Sequence, residues 1–571
     1  MYTQDFTPVG ESLGLSSIFA VIPLITLFVL LGGLKLKAHW AGLIALGTAL
    51  VVAIAVYGVP FGQALDVAAL GGVFGLFPIM WIVLTAIWIY NMTEDSGHFQ
   101  VLRRSFGRIS DDQRVQAVII AFSFGALLEA LAGFGTPVAI TAVMLIGLGF
   151  QPIKAAAVAL VANTAPVAFG AIAIPIVTLS EITGLPKEDL GAMVGRQTPL
   201  LAMIVPFVLI GMVDGMRGIR QTWPVALVGG LTFAVGQFAC SNFISVELTD
   251  IVASLLSAGS IVGLLRVWRP SQPLLPETGA GGRPAIAGAA ETDIEHERRI
   301  REKGSLRDSL QRDGRGGAPD SHRRDGAGEI ARAYAPYLII IVVFALAQLG
   351  PIKDWLDTLG SEFSWPGLNI LNPDGEAPDA ATFKFNWASA AGTLLLVSGL
   401  LTMLVLRIRP GRALAVAGRT VNQLKWATLT VVSVLALAYV MNLSGQTITL
   451  GLLLAGAGGI FAFLSSIIGW LGVSVTGSDT SSSALFGALQ VQAAKEAGLD
   501  PVLMAAANSS GGVLGKMISP QNLAIGAAAV GLAGKEGDLF RRVVVWSLIL
   551  LLLMCVIVTL QSTAVLSWMV V

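Results

Sequence analysis

Three ionisable side chains, Glu129, Asp479 and Lys516, stand inside long apolar stretches of this sequence. A charge at the centre of a membrane helix costs roughly 2.5–3.5 kcal/mol on insertion scales, so such residues are kept for a function. Glu129 is flanked by Leu127, Leu128, Ala130 and Leu131, surroundings that disfavour charge and suit a group that takes up and releases a proton. Asp479 lies among hydroxyl residues, which suits cation or proton coupling. Lys516 could pair with a substrate carboxylate or with Asp479, or be held in a purely structural ion pair. Glu129 and Asp479 are expected to carry the coupling.

Each charge borders an interruption. The first segment reads Glu129-Ala-Leu-Ala-Gly-Phe-Gly-Thr-Pro137, followed by Asn163-Thr164-Ala165-Pro166. The second reads Thr476-Gly-Ser-Asp-Thr-Ser-Ser-Ser483, followed by Asn508-Ser509-Ser510-Gly511-Gly512. Non-helical backbone at membrane depth is tolerated only where protein or a water-filled cavity surrounds it, so the breaks mark a site. Freed N–H groups at half-helix starts carry partial positive charge and suit a carboxylate. Gly135, Thr136, Asn163, Thr164, Ser478, Thr480, Ser481, Asn508, Ser509, Ser510 and Lys516 are therefore expected to bind substrate. The hydroxyls could equally do no more than satisfy the broken backbone.

The elements that position these residues are membrane helices. Of 571 residues, 54% are hydrophobic and 13% charged, and the mean hydropathy is +0.76. Soluble domains carry roughly 25% charged residues. Blocks such as Ser17–Leu34, Ala41–Tyr57, Pro224–Cys240 and Trp546–Leu560 approach the ~20 apolar residues that cross a bilayer core. Ser17–Leu34 is read as a retained span, because Met1–Gly14 holds no Lys or Arg where a signal peptide wants a basic start. Cys240 and Cys555, the only cysteines, offer no disulfide framework or metal site.

The positive-inside rule orients the chain. Lys35 and Lys37, Arg103 to Arg114, Arg217 and Arg220, and Arg407 to Arg419 are placed in the cytoplasm; residues 1–14 form an external tail, and both termini lie outside. Residues 270–333 turn hydrophilic and read as a disordered cytoplasmic loop with little to bury. The long apolar regions Val115–Leu179 and Leu450–Val530 are each too long for one crossing. They also resemble each other: Asn163-x6-Gly170-x4-Pro175 recurs as Asn508-x6-Gly515-x4-Pro520 at a constant shift, since 508−163, 515−170 and 520−175 all give 345. The expected architecture is all-α, with about twelve crossings, two re-entrant hairpins (115–150 and 449–497) and two broken helices (153–179 and 500–531). These fall in repeats at 15–214 and 334–571 with connecting helices at 215–269. The two repeats enter the membrane from opposite sides, a signature of secondary transporters.

Other signals fail. Gly511 to Met517 resembles a phosphate loop, but its glycines are too close together and Met replaces Ser or Thr. His39, His98, His296 and His322 fall in expected loops or at their edges, where a metal role is not expected. Net charge is balanced at 36 basic and 36 acidic residues, so nothing points to nucleic acid. No cofactor is expected beyond the proton as coupling ion.

At the hairpins and breaks the sequence resembles the bacterial L-lactate permease family. The likeness rests on Glu129 to Ile140, Ala162 to Gly170, Gly477 to Gly487 and Asn508 to Gly531, and it covers most of the chain. It implies uptake of L-lactate, with D-lactate and glycolate, by proton symport across the bacterial inner membrane. The partners expected are a small carboxylate and the lipid bilayer, with a homo-oligomer left open. The competing readings are a sodium-coupled carboxylate symporter and, from another class, a membrane-embedded enzyme or sensor. The last needs a catalytic constellation or a folded loop domain, and the sequence shows neither.

Overall fold

The computed structural model describes residues 2–34, 36–107, 109–133, 135–275, 326–347, 349–373, 375–532 and 535–571. The expected cytoplasmic loop therefore lies, over 276–325, outside the described residues. Among them the chain is helical, with ten helices long and apolar enough to cross a membrane, or eleven counting one bent pair as a single span.

The first series opens with α1 (Leu13–Ala20) and α2 (Ile22–Phe28), which run on as one span to Gly33. It continues with α3 (Ala38–Ala55), then α4 (Phe61–Phe74) and α5 (Trp81–Asp95) within one long span. After the short α6 (His98–Gly107), α7 (Gln113–Gln116) leads through a wide turn of helix into α8 (Gly125–Ala132). The chain reverses at Gly133–Gly135 into α9 (Thr136–Gly147), which packs back along α8. Gly135 sits at φ 83°, a left-handed conformation that glycine adopts without steric cost. Then α10 (Pro152–Ala162) and α11 (Gly170–Thr183) are bent by 66° across Asn163–Phe169.

The 57-residue α12 (Lys187–Phe243) would run roughly 85 Å at 1.5 Å per residue, far more than one crossing needs. Non-helical backbone at Asp214, Gly215 and Thr222 folds it into two arms, 187–213 and 223–243. With α13 (Thr249–Val267) packed along it, it links the two series. Arg114 anchors the first reversal from below. Although fully buried, its guanidinium reaches Asp112, Asp214, Gln221 and the backbone oxygen of Gln272.

A second series follows: α14 (Ala327–Ala347), the surface helix α15 (Gly350–Thr358), α16 (Ala391–Val405), α17 (Pro410–Leu443) and the short α18 (Gln446–Ala455). A second reversal joins α19 (Phe461–Thr476) to α20 (Asp479–Ala497) at Gly477–Ser478. It is followed by α21 (Pro501–Gly515), a tight turn at Lys516–Ile518, α22 (Pro520–Ala529) and α23 (Glu536–Gln561). The two series interlock: α11 packs on α20, while α22 packs on α9 and α10.

Four expectations need correction. The second hairpin begins at Phe461 rather than 449, because Gly456–Gly459 ends α18 as a separate helix. The boundary at 334 falls inside α14, whose first turns are polar enough to have been read as loop. Residues 1–14 are not a free tail. Strand β1 (Tyr2–Thr3) pairs in parallel with β3 (Ile370–Leu371), and the Tyr2 hydroxyl donates to the Ser444 carbonyl at 3.0 Å. The helices are accompanied by one further small pairing, β2 (Ser361–Ser364) antiparallel to β4 (Thr382–Phe385), which leaves the fold all-α in class.

The fourth correction concerns the second break. It was expected at Asn508–Gly512, yet α21 runs unbroken through those residues. Its glycines serve close packing instead: a Cβ on Gly511 would lie 2.2 Å from the Ser466 carbonyl oxygen, and one on Gly515 2.4 Å from that of Trp470. The helix gives way at Ser519, extended at φ −65° and ψ 139°, as the residue before a proline is pushed to be.

Candidate functional site

The two reversals and the two interruptions meet around a cavity of about 110 Å³, a few waters' worth of space at roughly 30 Å³ each. Its polar wall comes from Glu129, from Thr476 to Ser481 and from Lys516, with Gln521 at the edge. Gly170, Ala171, Ile174 and Pro175 of α11 close one side, and Thr430 and Val431 of α17 another.

Glu129 is 2% exposed and Lys516 7%, and the Lys516 ammonium lies 2.5 Å from Glu129 Oε1. The other carboxylate oxygen accepts from Asn163 Nδ2 at 2.9 Å. The expectation of apolar surroundings for Glu129 is thus overturned: its sequence neighbours are apolar, but the helix face it occupies meets a cation and an amide from other elements. Lys516 pairs with Glu129 and not with Asp479. An ammonium has three donors, and the cavity it lines is where a further acceptor can reach it. Gly170 makes the pair possible, since a Cβ there would lie 2.9 Å from Glu129 Oε1.

Asp479, 3% exposed, opens α20 directly after the reversal. One oxygen accepts from Ser509 Oγ at 2.5 Å, and the other, Oδ1, has no hydrogen-bond partner. The neighbouring hydroxyls are turned elsewhere: Ser478 caps α20 by accepting from the Ser481 N–H, and Ser482 donates to the Gly469 carbonyl. In each series, then, an acid at a reversal accepts a hydrogen bond from the interrupted helix beside it, Asn163 to Glu129 and Ser509 to Asp479.

The remaining expected residues divide. Ser478, Thr480 and Ser481 line the cavity. Asn163 and Ser509 stand one layer behind it, each holding a carboxylate. Thr164 donates to the Val161 carbonyl of its own helix, and Asn508 accepts from Gln490 in a buried contact. Ser510 is buried with no partner for its hydroxyl. Gly135 is covered by Ile525 and Asn522, and neither it nor Thr136 lines the cavity. Phe134 of the same motif lies outside the described residues.

Several contributions went unseen in the sequence. Thr430 sits in an ordinary apolar span with nothing to single it out. Ala171, Ile172 and Ala173 form a left-handed turn, with φ of 46°, 59° and 56°. That conformation costs L-residues roughly 1–2 kcal/mol each and is found where surrounding structure enforces it. No glycine marks it. Asp250, fully buried and accepting from Gln237, was also missed, because it sits at the polar edge of a span where acids are common.

Interrupted helices that meet around a small polar cavity in a many-helix membrane protein define a membrane transporter. The chain belongs to the L-lactate permease family, whose model matches residues 16–565. It is similar to the L-lactate permease of Bacillus subtilis (strain 168), with 42% identity over 589 residues and 100% of each chain covered. It is equally similar to the glycolate permease GlcA of Escherichia coli (strain K12), with 42% identity over 576 residues and 98% of each covered. Among solved structures it resembles that of Neisseria gonorrhoeae MtrF, at a TM-score of 0.44 and 14% identity over 96% of this chain and 94% of that one, too distant a likeness to bear on function. The protein is a multi-pass protein of the bacterial inner membrane.

Proposed function

We propose that this protein imports L-lactate and related 2-hydroxy monocarboxylates, D-lactate and glycolate among them, by proton symport. The observation that carries this reading is the buried Lys516–Glu129 pair on the wall of a cavity sized for a small molecule. A substrate carboxylate that enters competes with Glu129 for the Lys516 ammonium. Once Lys516 turns to the substrate, Glu129 is left at membrane depth without its cation, a costly state. Taking up a proton relieves that cost, so binding of the anion and of the proton favour each other. Substrate hydroxyls find partners among Thr476, Ser478, Thr480 and Ser481.

In this reading the two series of elements enter the membrane from opposite sides. The reversals and interrupted helices then move against the scaffold formed by the other spans, opening the cavity to each side in turn. The protein acts as a transporter and not as an enzyme.

A second reading is sodium coupling, favoured by the unpartnered Asp479 Oδ1 at the cavity. Uptake of labelled L-lactate into proteoliposomes, with and without an inward proton gradient in sodium-free buffer, separates the two. Accumulation driven by the gradient supports proton symport. Accumulation that appears only when sodium is added replaces it, and uptake of dicarboxylates alone overturns the substrate.

A further inference from the structure

We propose that Asp250 relays protons between the outer end of the protein and Glu129. This rests on the proton-symport reading above and adds to it a residue outside the cavity.

Asp250 is the second residue of α13 and is 0% exposed. Its Oδ1 accepts from Gln237 Nε2 at 3.1 Å, while Oδ2 has no hydrogen-bond partner. No ion pair involves it among the described residues. A buried acid with a single neutral donor and a bare oxygen has no structural debt that explains it: an Asn of the same shape would satisfy Gln237 as well. What the acid alone can do is bind and release a proton.

Its position gives that proton a destination. The helix α13 packs on α8, which carries Glu129. The same Gln237 amide that holds Asp250 also donates to the Ala165 carbonyl at 3.3 Å. That carbonyl is freed by the interruption whose first residue, Asn163, holds Glu129. Asp250 is thus tied to the backbone that must move when the site opens. On the other side lies the turn at 244–248, where Lys187 meets Glu247 at 2.6 Å. The basic clusters place this turn on the outer face. The titratable groups on the packed elements are Glu129 on α8, Glu181 on α11, and Lys187, Glu188, Asp189, Arg196, Asp214, Arg217, Arg220 and Cys240 on α12, with Glu247 at the turn; the stretch Ala117–Phe124 contributes none.

The step balances simply. The proton on one Asp250 oxygen passes, through water admitted as the site opens, to the Glu129 carboxylate as Lys516 leaves it for the substrate. Asp250, now ionised, takes its next proton from the outer side.

The test uses the full-length protein in proteoliposomes. Asp250→Asn should lower gradient-driven accumulation of labelled L-lactate by about a hundredfold, the lower reach of a lost proton-transfer group. It should leave lactate-for-lactate exchange, which needs no net proton movement, near wild type. Wild-type accumulation by the variant overturns the relay, as does loss of exchange together with accumulation, which marks a structural role. If the Asn variant does not insert, Asp250→Glu decides: accumulation with a displaced pH profile supports the relay, and an unchanged profile overturns it. A wild-type protein that ignores the proton gradient removes the symport reading itself, a result visible without any variant.

Discussion

Lys516 and Glu129 are 387 residues apart in the chain, and their charged atoms are 2.5 Å apart in the fold. Each belongs to a different series of elements, so the pair is a joint between the two halves as well as a feature of the site. Removing one partner leaves the other buried and uncompensated, which costs about 3–5 kcal/mol. Lys516→Ala and Glu129→Ala should each lower the melting temperature and abolish uptake. The double variant should be more stable than Lys516→Ala alone. Thermal unfolding in detergent checks this, and a double variant less stable than both singles would show that the pair is not the source of the loss.

Asp479→Asn should abolish uptake while the protein still inserts. Ser509→Ala removes the one donor to its carboxyl group, a bond to a charged or chargeable partner worth roughly 1.5–3 kcal/mol. It should reduce uptake at least tenfold at that energy. Near-normal uptake by well-inserted Ser509→Ala would show that Asp479 does not depend on that contact.

Two adjacent residues should behave oppositely. Asn163→Ala strips an amide donor from Glu129 and should impair uptake strongly. Thr164→Val loses only a bond to its own helix and should transport within a few-fold of wild type, a change of under about 1 kcal/mol. Initial rates of uptake, normalised to protein in the membrane, decide between them.

Gly170→Ala puts a methyl group against the Glu129 carboxylate, 2.9 Å from Oε1. The side chain must swing off Lys516, so uptake should fall while the folded protein persists. Gly511→Ala meets backbone instead, 2.2 Å from the Ser466 carbonyl oxygen, which cannot swing away. That variant should lose stability first. Comparing size-exclusion profiles with uptake distinguishes a damaged site from a damaged fold.

Glu247, in the turn before α13, gives a pH-dependent prediction. Burial would raise its carboxyl group, but the Lys187 ammonium holds it below the ordinary glutamate range, helped by Ser245. A carboxyl group lowered on folding stabilises the protein above its unfolded value of about 4.3. That contribution disappears as pH falls through the lower folded value. Glu247→Gln should therefore cost about 1–3 kcal/mol at neutral pH and little in strong acid. Melting curves of both proteins should converge as pH falls below 4; a constant gap would remove the ion pair from the account.

Much of this molecule was legible in its residues. Long apolar blocks demand helices, because backbone groups in lipid have no water to bond. The first interruption announces itself through Asn163 and Pro166, and the charged residues at the site stand out because charge is costly among apolar neighbours. Asp479 and Lys516 do line the cavity, as does Glu129. The relation of residues across the chain was not legible. Local sequence surrounds Glu129 with leucine and alanine, yet a helix has several faces, and the one bearing Glu129 meets Lys516 and Asn163 from elsewhere. Glycine is ambiguous in the same way: at Gly135 it permits a left-handed turn, whereas at Gly511 and Gly515 it lets two helices touch. Sequence alone could not tell a break from a close contact, and so placed the second interruption several residues early. The sequence by itself determined that charge must be buried in this membrane protein, because solvation sets that cost residue by residue. Only the tertiary structure decided which charge answers which, because partners 387 residues apart are chosen by packing and not by neighbours in the chain.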